Sequence, residues 1–213
     1  MNMRIFIFCH NESVLLPHAI EHYRNYFPQS IITILDNESS DGSPEIAHQL
    51  GCQVVNITGN MTQLSSNIKN NCWANIKDWI VVVDVDEWLC ITEQELEHEV
   101  QNGTTILQTK VLDMVGESKN EHLTDINLHR IPRYIYNYIN KPVCFNSNDI
   151  RYMNYGLGNP VGRVQYSHRQ YVIKNMVYLG LPYYTKRMTE IYERNLANEY
   201  QQALSNSQHL IVG

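Results

Sequence analysis

No apolar stretch in this sequence approaches the length needed to span a bilayer, so no membrane span is expected. The apolar run within residues 1–10 is too short for the core of a secretory signal. There is no C-x-x-C pair, and the five cysteines (Cys9, Cys52, Cys72, Cys90, Cys144) are odd in number. They read as free thiols of a reducing compartment, which makes a cytoplasmic location the expectation. The sequons at Asn11, Asn37, Asn56, Asn60 and Asn102 therefore need carry no glycan. No long basic run is present and the net charge is −6, which argues against a nucleic-acid partner. Isolated cations remain free to hold a phosphate. No internal repeat or low-complexity segment occurs. With 43% hydrophobic residues over 213 positions, the chain has enough apolar material for one sizeable core, hence a single domain.

What is present is an alternation. Arg4 to Cys9 is a short apolar strand, followed by the polar turn His10-Asn11-Glu12-Ser13. Leu15, Leu16, Ala19, Ile20, Tyr23 and Phe27 recur at helical spacing. Ile31 to Leu35 is a second strand, and Ser43-Pro44-Glu45 opens a second helix. Cys52 to Ile57 is a third strand, and Leu64, Ile68, Cys72 and Ile76 mark a third helix. A fourth strand, Ile80 to Val83, is apolar throughout, as suits burial on both faces of a parallel sheet. The order predicts an α/β fold with a doubly wound, mostly parallel sheet flanked by helices.

That fourth strand runs into Asp84-Val85-Asp86-Glu87. If the strand continues through them, Asp84 and Asp86 point to one side. Two carboxylates held together at an apolar sheet edge call for a cation, and oxygen ligands favour Mg²⁺ or Mn²⁺ over Zn²⁺. Ligands of open α/β sheets bind beyond the carboxyl ends of the strands, where this pair would sit. A polar strand exit with no ligand is the plainer alternative. A second motif, His18-Ala19-Ile20-Glu21-His22, matches the H-x-x-E-H of some zinc peptidases. A helix between the first two strands of a parallel sheet is a poor place for an open catalytic zinc, and a solvated face with ordinary histidines is the simpler reading.

Taken in order, Cys9-His10-Asn11-Glu12, Leu16-Pro17 with His22-Tyr23, Leu35-Asp36-Asn37-Glu38-Ser39-Ser40-Asp41-Gly42-Ser43 and Asp84-Val85-Asp86-Glu87 resemble the family 2-like glycosyltransferases of the GT-A fold. The likeness covers roughly residues 3–110 and extends faintly to Lys141-Pro142-Val143 and Tyr166-Ser167-His168. A narrower likeness is to the transferase domain with which a large algal virus decorates its capsid protein, which would place the chain in the host cytoplasm. The resemblance implies a nucleotide-sugar donor, usually UDP-linked, held by Asn11, Glu12, Asp36, Asn37, Asp84 and Val85. It implies Mn²⁺ or Mg²⁺ on Asp84 and Asp86, with His168 as third ligand. Many relatives carry a second Asp where this chain has Asn37, which bears on base selectivity. The acceptor would be a glycan or protein-linked glycan. On this reading residues 1–110 form the donor half, and 111–213 the acceptor half with a C-terminal helix.

In the second half, Thr92 and Glu95 form a capping box and Thr104 to Leu112 reads as a strand. Asp113 to Asn127 is polar and irregular. An inverting transferase needs a carboxylate base, and Asp113 is the first candidate, with Glu117 and then Glu121 competing. Tyr134, Tyr136 and Tyr138 share a strand face, where packing is the default and a stacking wall for a sugar the alternative. Lys141, Lys174, Lys186 and Arg187 are spare cations for a diphosphate. Val161 to Ile173 reads as a long strand carrying His168. Met188, Ile191, Tyr192, Leu196, Tyr200 and Leu204 follow helical spacing. The apolar ending Ile211-Val212-Gly213 reads as the cut end of a longer chain. A D-x-D phosphatase using Asp84 as nucleophile and a glycan-binding module without turnover are the competing readings. Nothing in the sequence marks an oligomeric state.

Overall fold

The uninterrupted apolar run of the fourth strand is buried on both sides, as its composition requires. In the computed structural model, which describes residues 2–59, 61–118, 120–155 and 159–193 without the side chains of 61–65, Ile80 and Val82 face one core and Val81 and Val83 the other. The first strand repeats this, with Ile5 and Ile7 on one side and Phe6 and Phe8 on the other. A strand with two apolar faces is stable only between two covering layers, and helices supply them.

The elements run β1 (Met3–Cys9), α1 (Leu16–Tyr26), β2 (Ile31–Asp36), α2 (Ser43–Gln49), β3 (Gln53–Asn56), α3 (Met61–Asn71), β4 (Trp79–Asp84), β5 (Glu87–Cys90), α4 (Glu93–Gln101), β6 (Ile106–Val115), β7 (Arg133–Asn137), β8 (Cys144–Asn146), β9 (Ile150–Tyr152), β10 (Val161–Gly162), β11 (Tyr166–Tyr178) and a helix α5 over residues 181–193. Two 3-10 turns, Leu123–Asp125 and Leu128–Arg130, interrupt the segment between β6 and β7. The main sheet has the order β3-β2-β1-β4-β8-β6-β11-β5, with β7 added on β6. The predicted parallel arrangement holds for β3, β2, β1 and β4. Beyond them β8, β7 and β5 run antiparallel, so the sheet is mixed. Antiparallel to both β4 and β6, β8 leaves β6 parallel to β4. The carboxyl ends of β1, β2, β4 and β6 therefore share one edge.

Local chemistry fixes the helices. Thr92 Oγ1 accepts from Glu95 N at 3.1 Å while Glu95 Oε2 accepts from Thr92 N at 2.9 Å, closing the capping box expected at the start of α4. Leu16, Ala19, Ile20 and Tyr23 of α1 are buried against the sheet. Gly180 precedes α5 with φ at +103, and a Cβ there would collide with the Glu121 carbonyl oxygen. Only glycine lets α5 enter at this angle. Side chains 61–65, including the expected apolar Leu64, lie outside the described residues, as do the helical positions Leu196, Tyr200 and Leu204. No helix among the described residues is long and apolar enough to cross a membrane.

Three sequence expectations need correction. The strand expected to end at Leu112 continues to Val115, so Asp113 lies within β6 and not after it. The strand expected over 161–173 is two elements, β10 and β11. Tyr134, Tyr136 and Tyr138 do not pack into the core: they are 57%, 41% and 92% exposed, the first two on β7 at the sheet margin and Tyr138 one residue past its end.

Candidate active site

Two polar loops meet at the carboxyl edge and are stitched together. Backbone N–H groups of the β1–α1 turn donate across to the β2–α2 loop: Asn11 N to Ser39 Oγ at 2.9 Å, Glu12 N to Ser43 Oγ at 3.1 Å, and Ser13 N to Asp41 Oδ2 at 2.8 Å. In return Asn11 Oδ1 accepts from Ser40 N at 2.8 Å, and the Asn37 carbonyl accepts from His10 Nδ1 at 2.5 Å. Burial opposes ionisation of Asp41, but hydrogen bonds from Ser43 and Ser13 outweigh it and hold the carboxyl below its usual range. Asn11 and Glu38 stand at φ +53 and +58, the left-handed region that the tight stitching demands. Asn11 is thus a pin between loops.

Asp36 ends β2 with its side chain buried. Its Oδ2 accepts from Ser39 N at 3.2 Å, while its Oδ1 is buried and accepts no hydrogen bond from the described residues. Buried acceptors are nearly always paired, so this oxygen suits a donor on a ligand. Asn37 beside it is buried, with its backbone N–H on Cys9 O.

The strand β4 stops at Asp84, and Val85-Asp86 form a turn before β5. Asp84 and Asp86 are therefore not neighbours on one strand face as the spacing suggested. They straddle a turn and have different partners. Asp84 pairs with Lys69 of α3 at 3.0 Å. Asp86 accepts from Arg187 Nη1 of α5 at 2.7 Å, and Arg187 Nε lies 3.6 Å from Glu12 Oε1. Tyr183 of α5 reaches Glu12 Oε2 at 3.3 Å. Glu87 is buried: its Oε2 accepts from Asp84 N at 3.1 Å and its Oε1 pairs with Lys141. Burial, with Asp84 close by, raises the Glu87 carboxyl above its usual range against the pull of Lys141. Burial also pushes Glu12 up to about 7, opposed by Arg187 and reinforced by Asp86. Four carboxylates and three cations thus interleave at one edge.

The turn is braced from below. Tyr23 OH donates to Glu87 O at 2.8 Å and accepts from Leu89 N at 3.2 Å, and His22 Nε2 donates to Leu89 O at 2.8 Å. All three contacts tie α1 to β5, fixing the strand that starts one residue after Asp86. Val85 is a core side chain whose N–H donates to Phe8 O at 3.0 Å and whose carbonyl accepts from Trp88 Nε1 at 3.1 Å. Its backbone is engaged within the protein, which leaves it a structural place in the turn.

The structure brings Glu12, Asp36, Asp84 and Asp86 to the carboxyl edge. It does not bring His168 there. His168 is exposed near the amino end of β11, between positions paired with Ile106 and Gln108, whereas Met176 of the same strand contacts Asp86 O. Eight residues of strand separate them, roughly 26 Å. Asp113 sits near the carboxyl end of β6, half-buried, accepting from Asn175 Nδ2 at 2.8 Å and Asn137 Nδ2 at 3.1 Å. Glu117 is exposed and lines a separate cavity of about 460 Å³ with Arg133, Tyr178, Leu181 and Tyr184. Lys69, Tyr183 and Glu87 are site residues that sequence reasoning missed. Lys69 carried a signal, because it lies one position from Ile68 on the helix leading into β4.

The donor chemistry fits a hard divalent cation. Every side-chain ligand atom here is a carboxylate oxygen, and a cation of the chain itself already rests on Asp86. The model of glycosyl transferase family 2 matches residues 4–155, from β1 through the Asp84–Asp86 turn to Tyr155. The chain belongs to glycosyl transferase family 2. An uncharacterized glycosyltransferase of Rickettsia prowazekii is 35% identical over 98 residues, which are 45% of this chain and 30% of that protein. TarS of S. aureus superimposes with a TM-score of 0.52 at 11% identity, over 83% of this chain and 37% of that one. That likeness shows the fold, an α/β GT-A-like domain. The chain spans about a third of the length of these relatives. The family match ends before α5, so Tyr183 and Arg187 lie outside it.

Proposed function

We propose that this chain is a metal-dependent glycosyltransferase that moves a hexose or deoxyhexose from a UDP-sugar to a glycan or protein-linked glycan, with inversion. The observation that carries the reading is the cluster at the carboxyl edge: Asp84 and Asp86 at one turn, and on the same edge Asp36, whose buried Oδ1 has no partner among the described residues. In this reading Asp36 and Asn37 receive the base and ribose, whose N–H and O–H groups supply the missing donor. Asp86, with Asp84 and Glu12, would hold Mn²⁺ or Mg²⁺. Such an ion neutralises the charge that develops on a departing diphosphate. For Asp86 to ligate it through Oδ2, the Arg187 guanidinium must first leave that oxygen. Lys69 and Lys141, which line a cavity of about 280 Å³ beside Glu87, are placed to attract the phosphates.

In this reading residues 1–110 serve the donor and 111–213 the acceptor side. Among the described residues, the cavity lined by Arg133, Tyr178 and Tyr184 has the apolar rings and the cation that suit a sugar. Asp113, oriented by two amides, is our candidate for the base, with Glu117, which lines that cavity, and Glu121 as the alternatives. The narrower viral likeness would make a coat glycoprotein the acceptor; the curated relative, being rickettsial, lends it no weight. One observation favours a second reading. An arginine on the metal-ligand carboxylate is what a binding module that has lost turnover would also show. Incubation with a panel of UDP-sugars, Mn²⁺ and glycans separates the two. The transferase releases UDP, and Asp113→Asn slows release by about 10²–10⁴-fold with UDP affinity unchanged. UDP binding without release in any combination selects the module.

A further inference from the structure

The histidine motif on α1 divides. His22 turns inward to Leu89 O, while His18 and Glu21 stay on the outer face one helical turn apart. There they meet His129, from the 3-10 turn Leu128–Arg130. One ligand atom of each residue lies within 4.8 Å of the other two, and His129 Nε2 is 3.4 Å from Glu21 Oε2. The His129 ring is held rather than loose. It packs on the buried Trp88 indole with centroids 5.3 Å apart, and its own backbone N–H donates to Asn127 Oδ1 at 3.2 Å. Leu128 and Ile131 on either side are buried anchors.

We infer that His18, Glu21 and His129 form a second metal site, specific for Zn²⁺-class transition metals, that staples the segment 122–131 to α1. Two imidazoles and one carboxylate are the ligand set of open zinc sites, with a fourth position left for water. Bond lengths near 2.0–2.1 Å place tetrahedral ligand atoms about 3.3 Å apart, so side-chain rotations of about 1 Å close the observed triangle. Imidazole selects zinc, cobalt, nickel or copper over Mg²⁺ and Mn²⁺, which keeps this site chemically distinct from the carboxylate edge. The plainer arrangement, a contact between His129 and Glu21 alone, needs no His18. The stapled segment matters because His122, Leu123 and Thr124 line the cavity that also contains Glu12 and Tyr183. Zinc would therefore fix one wall next to the candidate active site.

The test uses the whole chain in excess Mg²⁺, which on the function proposed above would fill the carboxylate edge. Co²⁺ is titrated while its visible absorption is followed, and Zn²⁺ is then added. The inference predicts one equivalent of imidazole-bound Co²⁺, displaced by one equivalent of Zn²⁺. The signal falls at least tenfold in affinity in Glu21→Gln, His18→Ala and His129→Ala, and is unchanged in Asp86→Asn. Zn²⁺ raises the melting temperature of the parent chain and not of these variants. Glu21→Gln is a surface change and keeps the test sound if a histidine variant folds poorly. No cobalt signal, or one that survives in both Glu21→Gln and His18→Ala, overturns the inference.

Discussion

Removing the guanidinium of Arg187 should make this protein bind Mn²⁺ more tightly. Arg187 Nη1 lies 2.7 Å from Asp86 Oδ2, and the two side chains are only 20% and 8% exposed. A metal ion and this arginine cannot both take the same carboxylate oxygen. For ligation through Oδ2, the metal-competent state is then the fraction of molecules in which the contact is open, and the apparent affinity falls by that fraction. A hydrogen bond to a charged group is worth ~1.5–3 kcal/mol. That corresponds to roughly a 10- to 150-fold penalty on metal binding. Arg187→Gln should therefore tighten Mn²⁺ binding about 10- to 100-fold without nucleotide, read by calorimetry or by loss of the free Mn²⁺ spin-resonance signal. Stability should move the other way without metal. Glu12 and Asp86 lose the cation they share, a change that costs up to about 3–5 kcal/mol when an ion pair is fully buried and less here. Saturating Mn²⁺ should restore the melting temperature. Unchanged or weaker Mn²⁺ binding in Arg187→Gln would show that the oxygen Arg187 occupies on Asp86 is not the one the metal takes.

Two further outcomes concern the brace beneath the turn. Tyr23→Phe leaves the Leu89 N–H and Glu87 carbonyl without their partner in a fully buried setting, and should lower unfolding free energy by ~1–3 kcal/mol in urea titration. Burial lowers the His22 pKa to about 4, against the pull of its bond to Leu89 O. The unfolded chain takes up this proton below about pH 6.5 and the folded one does not. Stability is thus lost as pH falls from 6.5 through 4, by at most about 3 kcal/mol from this group. His22→Gln should flatten that part of the pH profile, and an unchanged slope would show that other groups set it.

The first half of the fold was legible because burial on both faces writes itself as continuous apolar runs, as in Ile80 to Val83. The capping box at Thr92 was equally plain, since both partners lie within one turn of chain. The site was legible as far as chain proximity and resemblance reach: Glu12, Asp36, Asp84 and Asp86 do share one edge. The geometry of the Asp84–Asp86 pair was not. Period-2 reasoning assumes that the strand continues, and it stops at Asp84 because β5 departs to pair with β11. His168 failed for a related reason. Composition marks a strand but not which end of it meets the site, and β11 presents Met176 there instead. Arg187 was visible only as one cation among several, since its pairing with Asp86 spans a hundred residues. The meeting of His18, Glu21 and His129 is likewise a product of tertiary packing.

Calorimetric titration of UDP, with and without Mn²⁺, into this chain and into Asp86→Asn decides whether the carboxyl edge is a nucleotide-sugar site. UDP binding should depend on Mn²⁺ in the parent chain and be lost or severely weakened in the variant. Equal UDP affinity in both proteins, or no binding of UDP in either, would contradict it and reduce the Asp84–Asp86 turn to a polar exit from the sheet.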